Sequence, residues 1–244
     1  MKRTQAMSLL LAGVLALTGC SAAGTADTGS AAAAASSTST AQTLSAVDTA
    51  NMFSSRDLEV GYDEETCTKI TLSDDGASSD SDAVQIVGST VTITDEGTYL
   101  LSGTLNDGQI IVSAEDTDKV QLVLNGVDIT SATSAAIYVA QADKVFVTTA
   151  SGSENTLMNG GEYIAIDENN IDAVIFSKSD LTVNGEGSLT IDAKAGHGIV
   201  SKDDLVLTSG TYTITAASQG LSGKDSVRIA DGTYQITAGK DAVH

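Results

Sequence analysis

The last third of this chain repeats itself. Ser177-Lys178-Ser179-Asp180-Leu181-Thr182-Val183 returns 24 residues later as Ser201-Lys202-Asp203-Asp204-Leu205-Val206-Leu207, and 22 after that as Gly223-Lys224-Asp225-Ser226-Val227-Arg228-Ile229. A second block keeps step with the first: Gly187-Ser188-Leu189-Thr190-Ile191-Asp192-Ala193, then Gly210-Thr211-Tyr212-Thr213-Ile214-Thr215-Ala216, then Gly232-Thr233-Tyr234-Gln235-Ile236-Thr237-Ala238. Self-similarity at a period above ~20 residues marks a stacked-repeat protein, in which each unit buries its apolar side only against its neighbours.

Alternation within the repeat defines its elements. Leu181/Val183, Leu205/Leu207 and Val227/Ile229 are always apolar, whereas the residue between them is Thr182, Val206 or Arg228. One face is constrained to be buried and the other is left free. The second block reads the same way, with Leu189/Ile191, Tyr212/Ile214 and Tyr234/Ile236 on the inner face. Runs this short with a period of two are strands. Turns at Asn184-Gly185, Ser209-Gly210 and Asp231-Gly232 separate them. The expected fold is all-β: a single-stranded parallel β-helix with coils of about 22–24 residues, successive coils ~4.8 Å apart, and equivalent residues in columns.

The N-terminus reads as an address. Lys2 and Arg3 precede an apolar run from Ala6 to Ala16, followed by Leu17-Thr18-Gly19-Cys20. A basic start, an apolar middle and small residues at the cut describe a secretory signal over 1–19, too short for a membrane span. The tetrapeptide resembles a bacterial lipobox, which would make Cys20 the lipidated first residue and the outer face of the cell envelope the expected location. Residues 20–55 are mostly Ala, Ser, Thr and Gly and read as a flexible tether. Residues 56–244 are the expected domain, a monomer.

Charge narrows the partners. The formal net charge is −20, and losing Lys2 and Arg3 with the signal makes it −22. That excludes nucleic acid and anionic lipid as partners reached by simple attraction, leaving membrane contact to the lipid anchor alone. With Cys20 lipidated, Cys67 has no partner for an internal disulfide.

Earlier in the chain the pattern is less regular. Ile70/Leu72, Val84/Ile86 and Val91/Ile93 alternate with polar residues, and Leu122/Leu124 to Val145/Val147 is a shift of 23. From Val145 to Leu181 the shift is 36, about 13 more than one coil. The surplus between Ser151 and Asp172 carries Glu154, Asn155, Asn159, Glu162, Asp167, Glu168, Asn169, Asn170 and Asp172. Excursions of this kind sit over one face and often carry function. Asp241-Ala242-Val243-His244 begins another repeat, so a partial chain or a covered end is expected.

Catalytic patterns are scarce. His197 and His244 occupy repeat positions filled elsewhere by Gln219 and Asp241, and no Walker-type lysine or zinc spacing is present. What stands out is charge in columns: Lys178, Lys202 and Lys224 flanked by Asp180, Asp203, Asp204 and Asp225. Stacked carboxylates ~5 Å apart repel by roughly 1–3 kcal/mol per pair at surface dielectrics. The lysines can relieve this, or a shared hard cation can. Calcium, with six to eight oxygens in flexible geometry, suits such a wall. The candidate metal ligands are Asp172, Asp180, Asp203, Asp204 and Asp225. The candidate ligand-binding residues are Lys178, Lys202 and Lys224. With no Trp and inward tyrosines, a flat aromatic sugar platform is disfavoured. Acidic polysaccharide bridged through calcium is favoured.

Several blocks also look familiar. Gly97-Thr98-Tyr99-Leu100-Leu101-Ser102-Gly103-Thr104, Val123-Leu124-Asn125-Gly126-Val127, Glu154-Asn155-Thr156-Leu157 and the two Lys-Asp blocks at Ser201 and Gly223 resemble those of the carbohydrate-binding domain-containing proteins of bacterial surfaces. The likeness covers residues 68–244. It implies a right-handed parallel β-helix, similar in shape to pectate lyases, that binds calcium and polygalacturonate, with acidic positions at Asp180, Asp203, Asp204 and Asp225. Where related repeats often carry Asp-Gly-Ile, this chain has His197-Gly198-Ile199 and Gln219-Gly220-Leu221.

The expected function is non-catalytic, calcium-assisted binding of acidic, pectin-type polysaccharide at the cell surface. One alternative is a calcium-dependent pectate lyase in which Lys202 or Lys224 takes the proton α to the uronate carboxylate. The other is a structural or adhesive solenoid with no specific sugar.

Overall fold

The computed structural model describes residues 51–74 and 76–244. The signal-like segment 1–19, Cys20 and the tether up to residue 50 lie outside the described residues.

Alternating short runs become strands as their period requires. In chain order they are β1 (Thr68–Ser73), β2 (Gly76–Ser78), β3 (Val84–Val87), β4 (Thr90–Ile93), β5 (Gly97–Leu105), β6 (Gln109–Ser113), β7 (Lys119–Ser131), β8 (Ile137–Gln141), β9 (Lys144–Thr149) and β10 (Glu154–Asn159). There follow β11 (Ala173–Ser177), β12 (Asp180–Gly185), β13 (Ser188–Ala193), β14 (His197–Ser201), β15 (Asp204–Leu207), β16 (Thr211–Ala216), β17 (Leu221–Gly223), β18 (Ser226–Ile229) and β19 (Thr233–Ala238).

Among the described residues these strands form two sheets. The larger has twelve strands, ordered β18-β15-β12-β9-β7-β10-β13-β16-β19, with β5 beside β7, β1 beside β5 and β2 beside β1. The smaller has seven, ordered β17-β14-β11-β8-β6-β4-β3. Pairing is parallel except for two hairpins, β1 with β2 and β3 with β4. All-β is therefore right, but the expected right-handed single-stranded parallel β-helix is corrected to a two-sheet architecture: a larger, half-barrel sheet and a smaller mixed one.

The reason lies in β5 and β7, which a repeat period cannot reveal. The first half of β7, Lys119 to Leu124, pairs with β9; its second half, Asp128 to Ser131, pairs with β10. One continuous strand thus joins two arms, β9-β12-β15-β18 and β10-β13-β16-β19, into a single sheet bent around the core. The bend falls at Gly126, whose φ of +74° suits a residue without Cβ. In the next rung the strand is broken into β9 and β10, and in the rung after that the corresponding bend separates β12 from β13. There Gly185 has φ +129°, and a Cβ on it would lie 2.3 Å from the Thr149 carbonyl oxygen.

Repeat register survives in full. Leu181 pairs with Leu205 and Leu205 with Val227; Ile191 pairs with Ile214 and Ile214 with Ile236. These side chains and Ile137, Ile175, Ile199 and Leu221 fill one aliphatic core. Tyr212 is buried within it, as its inward register requires, and stacks on Tyr234 with ring centroids 5.1 Å apart.

The outward faces are not all free. Thr182 and Val206, read from the sequence as unconstrained, are 0% and 1% exposed. Residues 52–60 cross the outer face of the β9-β12-β15-β18 arm as a strap, within a stretch partly expected as tether. On the seven-stranded sheet, the outer side chains Tyr138, Phe176 and Val200 pack with Ile171 and Tyr163 of the excursion. That excursion is shorter than expected: β10 is a regular strand, and the insertion runs from residue 160 to 172.

Candidate functional site

Each repeat turns from the seven-stranded sheet into the β9-β12-β15-β18 arm at one corner, and there the repeated polar residues gather. Register carries them: Ser177 pairs with Ser201 and Ser201 with Gly223. The Lys202 amide donates to the Ser177 carbonyl, and the Lys224 amide to the Ser201 carbonyl. Lys178, Lys202 and Lys224 therefore stand in one column, all exposed. Ser179, Asp203 and Asp225 form the next column, the Asp225 amide donating to the Asp203 carbonyl. Asp180, Asp204 and Ser226 form the third, continued by Lys144 beside Asp180.

The three lysines have different surroundings. Lys202 Nζ sits 5.0 Å from the Phe176 ring centroid, a cation–π contact. Lys224 Nζ lies 3.7 Å from Asp225 Oδ1 on an exposed edge. Lys178 faces the excursion, where the Tyr138 hydroxyl donates to Asp167 Oδ2 at 2.5 Å and Asn169 Nδ2 donates to the Tyr138 hydroxyl at 2.7 Å. Burial works to raise the Asp167 carboxyl, but those hydrogen bonds and the charge on Lys178 hold it below the ordinary range.

The carboxylates divide. Asp203 is raised, first by desolvation and then by the charges of Asp180 and Asp225. Asp204 goes the other way. Burial alone would raise it, but Ser226 Oγ donates to its Oδ1 at 2.6 Å, and Arg228 forms an ion pair with its Oδ2. Asp204 is thus already neutralised by Arg228, a residue the repeat comparison left as a variable outward position.

Asp172 belongs elsewhere. Its Oδ2 lies 3.8 Å from His197 Nε2. The Gln219 amide donates to His197 Nδ1 at 3.3 Å. An acceptor Nδ1 leaves the imidazole proton on Nε2, and burial lowers the His197 pKa despite Asp172. Among the described residues, no three His, Cys, Asp or Glu side chains converge as a metal cage. The five expected metal ligands therefore do not make one closed site. Asp203, Asp225 and Asp180 make an open acidic edge that needs further oxygens from a ligand to complete a calcium shell.

Two anchors escaped the sequence reading. Asp57, 2% exposed, accepts from Lys144 Nζ at 2.7 Å and from the Thr182 hydroxyl at 2.6 Å. The sequence signal was Ser54-x-x-Asp57, a reciprocal cap: Ser54 Oγ donates to Asp57 Oδ2 at 2.7 Å and the Asp57 amide donates to Ser54 Oγ at 3.2 Å. Asn155, grouped with the excursion, instead clamps the bend in β7. Its Oδ1 accepts from the amides of Gly126 and Val127 at 3.0 and 3.1 Å, and its Nδ2 donates to the Ser188 carbonyl at 3.0 Å.

A protein from Acetivibrio thermocellus described as a carbohydrate-binding domain-containing protein is 39% identical over 151 residues, 61% of this chain and 53% of the relative. The chain thus spans about half the length of that curated relative. A solved structure described as the polysaccharide lyase-like protein from C. thermocellum, a gadolinium derivative, superposes with a TM-score of 0.71 at 39% identity. The match covers 72% of this chain and 73% of that one, so the fold is shared. Residues 87–244 match the family model for the carbohydrate-binding domain-containing proteins, and the chain belongs to that family.

Proposed function

We propose that the protein binds acidic polysaccharide of the pectin type, without cleaving it, along the corner formed by Lys178, Lys202 and Lys224. The observation that carries this is the lysine column: three exposed ammonium groups at the repeat spacing on a chain of net charge −20. A polymer with a carboxylate on each sugar presents charges in series, and a column of cations meets them in series. The overall negative charge opposes approach, so the local column must outweigh it.

Calcium fits this reading as a shared ion. No more than two carboxylates of the acidic edge, such as Asp203 and Asp225, would supply oxygens to it, and a uronate carboxylate and water the rest. The polysaccharide lyase-like description of the structural relative keeps a lyase reading in the comparison.

The test is a pull-down on polygalacturonate with and without calcium, using the intact protein and the Lys178→Glu/Lys202→Glu/Lys224→Glu variant. The expected result is calcium-dependent retention that the variant loses by about tenfold or more. Equal retention of the variant refutes the corner as the site, and UV-absorbing unsaturated products refute the non-catalytic reading.

A further inference from the structure

The strap over residues 52–60 lies in a trough whose floor is built from side chains of one sheet arm. Most hydrogen bonds between floor and strap run in one direction. Lys144 Nζ and the Thr182 hydroxyl donate to the Asp57 carboxylate. The Thr208 hydroxyl donates to the Asp57 carbonyl at 2.7 Å, and Asn184 Nδ2 to the carbonyls of Asp57 and Glu59 at 3.2 and 3.1 Å. Arg228 Nη1 donates to the Met52 carbonyl at 2.9 Å. The floor gives the donors and the strap returns oxygen acceptors in each of these contacts; Arg56 runs the other way, its Nη2 donating to Gln121 Oε1 at 2.9 Å.

A segment retained only for packing would bury its apolar side chains there. This strap leaves Leu58 55% exposed and buries Asp57 instead. At the far end of the trough, Phe146 offers an aromatic face now covered by the Arg56 guanidinium, 4.4 Å from the ring centroid. The floor is braced from within: Thr148 links Asn184 to Gln121 through hydrogen bonds of 2.7 and 3.0 Å.

We propose that this trough is a second binding site for uronate-bearing sugar chains, occupied in the free protein by the strap, with the Asp57 carboxylate standing where a uronate carboxylate would sit against Lys144. The ligand class rests on the reading given above for the corner. The trough adjoins that corner, because Lys144 registers with Asp180 on the neighbouring strand. A polymer carboxylate replaces that of Asp57, its hydroxyl and ring oxygens replace the strap carbonyls, and a sugar face replaces Arg56 over Phe146. Apparent affinity at such a site is the intrinsic affinity reduced by the fraction of molecules whose trough is open, so weakening the strap must tighten binding.

The test is calorimetric titration with oligogalacturonate on full-length wild type, Asp57→Asn, Asp57→Asn/Lys144→Gln and the triple lysine-to-glutamate corner variant. Hydrogen exchange of the strap amides is followed in wild type with and without the oligomer. Asp57→Asn is expected to bind about tenfold tighter. The added Lys144→Gln change is expected to cancel the gain, and the oligomer to accelerate exchange at residues 54–60 in wild type. A folded Asp57→Asn protein that binds no more tightly overturns the proposal. So does strap exchange that the oligomer leaves unchanged or slows, and this second measurement decides the matter if the variant fails to fold. Wild-type binding that is lost in the corner variant and unaltered by Asp57→Asn removes the trough and keeps the corner. Binding seen only once Asp57 is replaced removes the corner and keeps the trough.

Discussion

Replacing Asp57 with alanine should destabilise the folded domain by about 3 kcal/mol, a value reached from its contacts and again from the titration that those same contacts produce. The first route is structural. The substitution strands the Lys144 ammonium, whose side chain is 15% exposed, and leaves the fully buried Thr182 hydroxyl without its acceptor. Breaking a buried ion pair from one side costs about 3–5 kcal/mol, and the lower end applies because Lys144 keeps some solvent and lies 5.6 Å from the Phe146 ring centroid. The second route is titration. Burial alone would raise the Asp57 carboxyl, but Lys144, Thr182 and Ser54 bring it down from 3.8 to about 2. That fall contributes about 2 kcal/mol of charge-linked stability, and neutral hydrogen bonds lost in the alanine variant add about 1. For a domain of this size the result is a Tm lower by about 6–12 °C, read by thermal and urea denaturation.

The pH dependence has a definite sign. A carboxyl whose folded pKa lies below its unfolded value stabilises the protein above pH ~4, and that contribution is lost as pH falls from ~4 through ~2. Wild type should therefore lose about 2 kcal/mol more than Asp57→Asn between pH 5 and 2. A loss below ~0.5 kcal/mol for Asp57→Ala, or parallel acid profiles for wild type and Asp57→Asn, would show that the strap is not held in the way described.

Three further outcomes follow from the geometry. Asn155→Ala leaves the amides of Gly126 and Val127 without their acceptor and should cost about 2–3 kcal/mol in urea unfolding, whereas Asn155→Asp should retain part of it. Gly185→Ala meets both an unfavourable φ and the Thr149 carbonyl, so a loss of at least ~2 kcal/mol is expected; a neutral result would mean that this bend can relax. Tyr138→Phe removes the hydrogen bond to Asp167 and should cost about 1 kcal/mol while speeding proteolysis within residues 160–172, leaving cleavage elsewhere unchanged.

Much of the strand pattern was legible before any coordinates. The blocks at Ser188, Thr211 and Thr233 are the start points of β13, β16 and β19, because alternation and repeat length together determine both the strand and its register. The lysine column was legible for the same reason. The merging of two arms through β7 was not, since a period reports how often strands recur and is silent on whether a long strand bends or breaks. Nor could local pattern reveal the strap, whose contacts join residues 125 and 151 positions apart. The acidic set was read as one group because its members are neighbours in sequence register. Arg228 and His197 then divide it, and each of those pairings depends on where a single outward side chain reaches.

The strap also determines how the molecule meets mechanical load. Among the described residues the first hold is Met52, over the edge strand β18, followed by Arg56 on Gln121 and Asp57 across β9 and β12. Tension applied from upstream pulls on these holds one after another rather than together, so they part as a zipper does. Freeing the eleven residues from 52 to 62 releases up to roughly 35 Å of slack before any core strand is loaded. On the proposal made for the trough, the strap would act as an extensible fuse: traction on the N-terminal side would uncover the trough before the aliphatic core is loaded.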